Sequence, residues 1–341
     1  MNWLKNLRIG VRMVLMLALP LLATAYFGGG DIIAKRQSAL DMQQLEALAS
    51  LSVRLGSLAH ELQRERGMSA GFIGSSGRDF AADMPAQRSA SDQRAAELQA
   101  ELDRIPDDQL GSDLKQSIEA ARQRLKLLGE RREAISRLTL PAPQAVSYYS
   151  ELIGELLRST EIVATLSRDG QVGRIATAYA AFMQAKERAG VERALLTNAF
   201  AADRFANGGF NRFWANAAEQ TTYAAVFQAL ALPDQVGFYR EQAKATSFAE
   251  VDDMKRRAAE RADLESLQGD SKAWFAAASA RIDVLATVER RLSDDLLALT
   301  DTLRKRAVHD VVINSIVVAV ALALALVMCW MIMRSITRPL A

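Results

Sequence analysis

The sequence predicts an all-α fold built from antiparallel helical bundles. Half of the 341 residues are hydrophobic, but only 6% are aromatic. A chain rich in alanine, leucine, arginine, glutamate and glutamine favours helix. Apolar residues recur at intervals of three and four between turn-rich clusters, and no alternating strand pattern of useful length occurs. Uncharged apolar stretches near both ends of the chain complete the pattern.

Composition and charge exclude several classes of function. All acidic residues lie between Asp31 and Asp310, and the balance there is weakly acidic without a basic tract, so we expect no nucleic-acid partner. The single cysteine, Cys329, cannot form an intrachain disulfide. With only His60 and His309 besides, we expect no metal, no cofactor and no thiol catalysis. No nucleophile–base set or phosphate loop occurs either, so we expect no enzyme.

The first element is an apolar segment at residues 13–30, which carries no charge and follows three bases within residues 1–12. We predict transmembrane helix 1 there, after a cytoplasmic N-terminus at 1–12. A membrane helix tolerates its central Pro20. The alternative is a cleaved signal peptide, because residues 23–25 (ATA) resemble a signal-peptidase site.

The region 31–310 is a series of helices separated by short breaks. Its clearest apolar stripe consists of leucines at helical spacing: Leu51, Leu55, Leu58 and Leu62. The breaks are clusters of turn-forming residues at 74–79, 105–113, 139–144, 169–173, 206–211, 232–237 and 268–270. Short connections of this kind favour antiparallel packing of successive helices.

The last helix is predicted over 271–338, which contains no Gly or Pro. Its part at 311–333 is uncharged and long enough to cross a bilayer, so it is predicted as transmembrane helix 2. Positive flanks stay in the cytoplasm, which places 31–310 in the periplasm of a multi-pass inner-membrane protein. A continuous helix of this kind could transmit a signal, and a plain anchor is the alternative. The apolar seam at 282–303 predicts a homodimer.

Two stretches concentrate charged residues on apolar faces. Continuing the leucine stripe by three and four residues leads to Glu65 and Arg66, where a core residue is expected. A second stripe passes through Lys186 and Arg193. Buried charges are costly unless they are paired. Two purposes remain open: internal ion pairs with glutamates of the opposite helix, or an oxyanion site built from guanidinium groups.

The stretches 63–70 (QRERGMSA) and 186–194 (KERAGVERA) resemble the two signature stretches of the nitrate- and nitrite-sensing (NIT) domain. The resemblance implies two stacked helical bundles and recognition of nitrate or nitrite by arginines. Arg66 and Arg193 match the motif positions best, and Arg64 is assigned to the oxyanion-binding set with them. A further downstream arginine is implied, for which Arg240 and Arg256 are both candidates.

The terminal residues 336–340 (ITRPL) resemble the start of a HAMP linker, predicted at 334–341. With two membrane spans, this resembles the sensory half of a methyl-accepting chemotaxis receptor. We therefore predict a transmembrane chemoreceptor that binds nitrate or nitrite through its periplasmic sensor domain, 31–310. Its partners would be the membrane, a second copy of the chain, and cytoplasmic signalling proteins contacted through a module outside this sequence. A sensor histidine kinase and a membrane-anchored bundle that docks another protein are the alternatives.

Overall fold

The structure, a computed structural model, describes residues 9–106, 109–167, 169–264 and 266–337. These ranges are helical and contain no strand, so the all-α prediction is confirmed. The helices are, in chain order, α1 (Ile9–Gly74), α2 (Met84–Leu102), α3 (Gly111–Lys126), α4 (Leu128–Ser136), α5 (Ala142–Leu166), α6 (Gly170–Ala201), α7 (Gly209–Leu230), α8 (Pro233–Gln242), α9 (Thr246–Glu260) and α10 (Ser271–Thr337).

Most breaks between helices fall at or beside the predicted turn clusters, whereas those at 127 and 243–245 were not predicted. Aspartates cap two of the helices, α6 and α10. Asp169 precedes α6, and its Oδ1 accepts hydrogen bonds of 3.0 and 2.9 Å from backbone N–H groups two and three residues later. Asp270 caps α10 in the same way, at 2.8 and 3.1 Å. Such caps satisfy N–H groups that have no partner within the helix.

One compact unit comprises residues 47–299. In it α6 packs against α5 and α7, and α3 packs against α5. The predicted leucine stripe of α1 is confirmed as core, with exposures of 1% or less for all four members: Leu51, Leu55, Leu58 and Leu62. The charged continuation of the stripe is buried as well, because Glu65 is 0% and Arg66 is 4% exposed.

A second compact unit comprises residues 1–46 and 300–341, of which 9–46 and 300–337 are described. Within it α1 and α10 contact each other. The guanidinium Nε of Arg304 lies 2.7 Å from Oε2 of Glu46. Gly28 lies so close to Val318 that a Cβ atom on the glycine would come within 2.8 Å of the valine side chain.

The predicted multi-pass arrangement is wrong. In the part of the chain that the structure describes, one helical segment, Ser271–Ile332, is long and apolar enough to cross a membrane, and its most apolar window is not buried. Residues 13–30 lie within α1, and the described side chains of that helix include no second such segment. Absence of charge over 13–30 predicts a span, but that stretch contains Pro20 and three glycines, and absence of charge alone does not make a membrane helix. The outermost residues of the predicted 1–12 and 334–341 segments, 1–8 and 338–341, lie outside the described residues.

The apolar seam of α10 is used inside the chain. Leu285, Leu292 and Leu296 are 7%, 2% and 0% exposed, so these seam positions are already packed within the 47–299 unit. The homodimer prediction assumed that this seam had apolar surface to spare. The seam therefore no longer supports a homodimer, although dimer formation itself stays a prediction. The two stacked bundles and the domain boundaries at 31 and 310 also stay predictions.

Candidate functional site

Arg66 of α1 and Arg193 of α6 pack reciprocally against glycines of each other's helix. A Cβ atom on Gly190 of α6 would lie 2.9 Å from Nη2 of Arg66. A Cβ atom on Gly67 of α1 would lie 2.8 Å from Nη2 of Arg193. The two signature stretches thus supply both the guanidinium groups and the side-chain-free backbone on which they lie. Because glycine brings no Cβ, the two helices can hold both cations between them.

Arg66 has a carboxylate partner in the core. Its Nη1 donates to Oε1 of Glu187 at 2.6 Å and its Nη2 to Oε2 at 3.1 Å, which is a two-pronged ion pair between α1 and α6. Nη1 also donates to Oγ of Ser150 at 2.7 Å, and Gln63 donates to Oε2 of Glu187 at 2.8 Å. Arg66 and Glu187 are 4% and 5% exposed. Of the two purposes left open by the sequence, Arg66 therefore fulfils the first, an internal ion pair with a glutamate of the opposite helix.

Arg193 differs from Arg66, because no carboxylate among the described residues forms an ion pair with it. Its Nη1 donates to Oγ of Ser279 on α10 at 2.8 Å, and its guanidinium carbon lies 4.8 Å from the centre of the Phe275 ring. Among the described residues, no acidic side chain reaches its guanidinium at ion-pair distance. The side chain is only partly exposed. Its backbone carbonyl is fixed by the indole N–H of Trp274 at 2.9 Å.

The electrostatic consequence is visible in the pKa of Arg193. Burial and then the Arg66 cation lower that pKa to about 10, while Asp283 and Glu187 act in the opposite direction. Burial and the Arg66 charge both disfavour a positive charge on the Arg193 guanidinium. An anion beside Arg193 would therefore meet a cation whose charge is incompletely compensated.

The other buried charges of the first signature stretch belong to a separate cluster. Glu65 accepts from Nε and Nη2 of Arg132 at 2.6 and 2.8 Å and from the hydroxyl of Tyr149 at 2.7 Å. Although burial opposes ionisation, these hydrogen bonds together with the Arg132 charge hold the pKa of Glu65 below its ordinary value. Glu65 is thus a satisfied structural carboxylate that joins α1 to α4 and α5.

The second signature stretch ties α6 to α10. Lys186, 2% exposed, pairs with Glu289 of α10, and its Nζ also lies 3.1 Å from Nδ1 of His60. The ammonium of Lys186, together with burial, lowers the pKa of His60 to about 2. Glu192 is 1% exposed and pairs with Nη2 of Arg281 at 2.7 Å. Nζ of Lys255, on α9, lies 2.5 Å from the same carboxylate.

The remaining arginines considered from the sequence do not join Arg66 and Arg193. Arg64, a predicted member of the oxyanion-binding set, is exposed. Arg240 is also exposed. Arg256 is exposed and forms short-range surface pairs with Asp253 and Glu260. Of the three predicted ligand residues, the structure brings Arg66 and Arg193 together and places Arg64 elsewhere.

Several residues of the site carried no signal in the sequence. Ser279 and Phe275 contact the Arg193 guanidinium, but a serine and a phenylalanine on a long helix are unremarkable. Ser150 of α5 accepts a hydrogen bond from Arg66, and nothing in the sequence around it predicts that contact either. Glu187 lies inside the second signature stretch, but the sequence predicts only pairing with a glutamate of the opposite helix and does not single it out. Only the packing of α1, α5, α6 and α10 brings these groups together.

Comparisons with known proteins identify the family to which most of this chain is similar. Residues 57–297 match the family described as nitrate and nitrite sensing. A nitrate regulatory protein of Klebsiella oxytoca is 31% identical over 271 residues, which cover 79% of this chain and 67% of that protein. The solved structure of the NasR transcription antiterminator matches with a TM-score of 0.73 at 27% identity, over 85% of this chain and 83% of that one.

These comparisons correct three predictions. The relatives are a nitrate regulatory protein and a transcription antiterminator, so the prediction of an inner-membrane chemoreceptor with a periplasmic sensor domain is wrong. The prediction of membrane partners without nucleic acid is wrong for the same reason. The chemoreceptor prediction depends on the two ends of the chain, whereas the matched family spans 57–297, and a sensor fold does not determine the output it controls.

Proposed function

The chain belongs to the nitrate- and nitrite-sensing family, and on that premise we propose that it senses nitrate or nitrite by binding the anion at Arg193, beside Arg66. The role is binding rather than catalysis. The names of the two relatives, a nitrate regulatory protein and a transcription antiterminator, support a gene-regulatory output for the anion signal.

The observation that carries this proposal is the unpaired state of Arg193. Buried charges of the signature stretches such as Glu65, Arg66, Lys186 and Glu192 have partners of opposite charge. The guanidinium of Arg193 has a hydroxyl, an aromatic face and a glycine, but no carboxylate among the described residues. A planar oxyanion can accept two parallel hydrogen bonds from a guanidinium, which supplies the missing charge and the matching geometry.

The energy that such a site must supply is modest. Binding in the micromolar to millimolar range needs about 4–8 kcal/mol. Charge-assisted hydrogen bonds from Arg193, the hydroxyl of Ser279 and the positive field of Arg66 are of the right kind to provide it. The anion would also relieve the repulsion between the two guanidinium groups.

A sensor needs two states that differ in their affinity for the ligand. The site lies between α1 and α6, and α6 is tied to α10 by the Lys186–Glu289 and Glu192–Arg281 pairs. An anion that draws Arg193 toward Arg66 would favour one arrangement of α6 against α1. The buried pairs would pass that preference to α10.

The test is calorimetric titration of the purified chain with nitrate and nitrite, with chloride as the reference anion. We expect saturable binding of nitrate or nitrite, weaker binding of chloride, and loss of binding in Arg193→Ala. Folding of the variant is checked by its melting temperature. Undiminished binding by a folded Arg193→Ala, or no binding of either oxyanion by the wild type, would refute the proposal.

A further inference from the structure

We propose that Glu187 sets the valence preference of this site, so that it accepts monovalent oxyanions and rejects divalent ones. The inference rests on the proposed function and deepens it, because it concerns the selectivity of the same site. It starts from the position of Glu187, whose carboxylate is 5% exposed and lies in the fork of Arg66.

The net charge of the buried cluster determines which anion it can neutralise. Arg66 and Arg193 contribute two positive charges and Glu187 one negative charge, so the cluster carries +1 when no anion is bound. One monovalent oxyanion brings the cluster to neutrality. A divalent oxyanion would leave it with one uncompensated negative charge between packed helices.

Neighbouring carboxylates do not alter this count, because they are committed to other cations. Glu65 pairs with Arg132, Glu192 with Arg281 and Lys255, and Glu289 with Lys186. Asp283 supports the Arg193 charge more than Glu187 does, but its side chain is exposed to solvent and forms no ion pair with either arginine among the described residues. Glu187 is the buried acidic side chain in direct contact with the site.

The position of Glu187 is held by more than its ion pair. Gln63 of α1 is 6% exposed and donates to Oε2 of Glu187 at 2.8 Å. Oγ of Ser150 accepts a second hydrogen bond from Nη1 of Arg66. The carboxylate is thus fixed as a permanent constituent of the site. Burial makes its charge effective, because electrostatic interactions are strong where solvent is excluded.

The physical basis of selection is the scaling of two opposing effects. The desolvation cost of an ion rises with the square of its charge, so it is about four times larger for a dianion than for a monoanion of the same size. Attraction to the site rises only in proportion to the ion's charge. A net charge of +1 therefore favours the monoanion, and one additional positive charge helps a dianion about twice as much as a monoanion.

The test replaces Glu187 by glutamine, which keeps an acceptor for Arg66 but removes the negative charge. Calorimetric titrations of the full chain use nitrate, perchlorate and sulfate. Perchlorate is tetrahedral like sulfate but monovalent, so it separates charge from shape. Glu289→Gln is the matched control, because Glu289 is 6% exposed and pairs with Lys186 rather than with either arginine of the site.

We expect the affinity for sulfate to rise in Glu187→Gln by about tenfold or more relative to nitrate. Perchlorate should change in parallel with nitrate, and Glu289→Gln should keep the wild-type ratio. An unchanged sulfate-to-nitrate ratio in a folded Glu187→Gln would overturn the inference, and so would an equal change in Glu289→Gln. Absence of nitrate and nitrite binding in the wild type would instead refute the proposed function.

If Glu187→Gln fails to fold, the double variant Arg66→Gln with Glu187→Gln provides the test. It removes both members of the buried pair and leaves Arg193, so the net charge returns to +1. Its affinity should be lower, but its preference for nitrate over sulfate should match that of the wild type. A double variant whose preference shifts toward sulfate would overturn the inference.

Discussion

The guanidinium of Arg193 lies where a side chain on Gly67 would otherwise begin. A Cβ atom at position 67 would be 2.8 Å from Nη2 and 3.6 Å from Cζ of the arginine. Gly67 follows Arg66 in α1, so one dipeptide supplies a cation to the site and makes room for the cation that arrives from α6. Gly190 plays the same part for Arg66.

Gly67→Ala should separate ligand binding from stability. Alanine in a helix is favoured over glycine by about 0.5–1 kcal/mol. The clash at 67 involves the flexible end of the Arg193 side chain, which can shift. We therefore expect a melting temperature near or above that of the wild type, together with nitrate binding that is about tenfold weaker because the guanidinium is displaced.

The matched control for this prediction is Gly154→Ala in α5, where an added Cβ would meet no atom within 4 Å. It should stabilise the chain and leave nitrate binding unchanged. Equal nitrate affinities for Gly67→Ala and Gly154→Ala would show that the close approach of Arg193 to Gly67 has no role in recognition.

Replacing Arg193 itself should affect binding rather than folding. Arg193→Lys keeps the charge but loses the two-pronged geometry, so nitrate affinity should fall by about tenfold or more. Arg193→Ala should abolish binding. Since removal of this cation relieves repulsion from Arg66, the unfolding free energy should change by less than about 1 kcal/mol. Denaturant titration and calorimetry on the same samples provide both quantities.

Arg64→Ala serves as the control for the arginine series. Arg64 is exposed and adjacent in sequence to the site but not part of it. Its loss should change nitrate affinity by less than about twofold. A large loss of binding in Arg64→Ala would mean that the ligand lies on the exposed face of α1 and not between α1 and α6.

Unlike the Arg193 variants, Arg66→Gln should strongly lower the stability of the fold. The substitution leaves the buried carboxylate of Glu187 without its ion-pair partner. Breaking such a pair costs about 3–5 kcal/mol, whereas removing both partners together costs much less. We expect a strongly lowered midpoint of denaturation for Arg66→Gln and recovery of most of it in the double variant with Glu187→Gln. Additive losses would contradict the ion-pair role of Arg66.

The contact between Lys186 and His60 predicts a pH dependence of stability. The pKa of His60 is lowered to about 2 in the folded chain, so the unfolded chain binds the proton first, near pH 6.5. Stability therefore rises with pH in this range and is lost as the pH falls below 6.5. The wild type should lose melting temperature between pH 7 and pH 5.

His60→Asn keeps an acceptor for the Lys186 ammonium but cannot take up a proton in this range. Its melting temperature should therefore fall less than that of the wild type between pH 7 and pH 5. Measurements at pH 8, where the imidazole is neutral in both states, report the cost of the substitution itself. Parallel pH profiles for wild type and His60→Asn would refute the assignment.

The sequence by itself determined the helical fold, the breaks between most helices, and the identity of the two stretches that form the site. These features are local: leucines at three- and four-residue spacing, turn clusters and arginines next to glycines are readable along a single helix. The leucine stripe of α1 and its charged continuation at Glu65 and Arg66 followed from spacing alone.

Only the tertiary structure decided which charges are paired. Arg66 and Arg193 look equivalent in the sequence, since each follows a glutamate and lies on an apolar face. Where α6 packs against α1, Glu187 forms an ion pair with Arg66. Arg193 instead contacts the hydroxyl of Ser279 and the ring of Phe275, both on α10. Ion pairing depends on distances of a few ångströms between residues more than a hundred positions apart, and no periodicity along one helix encodes them.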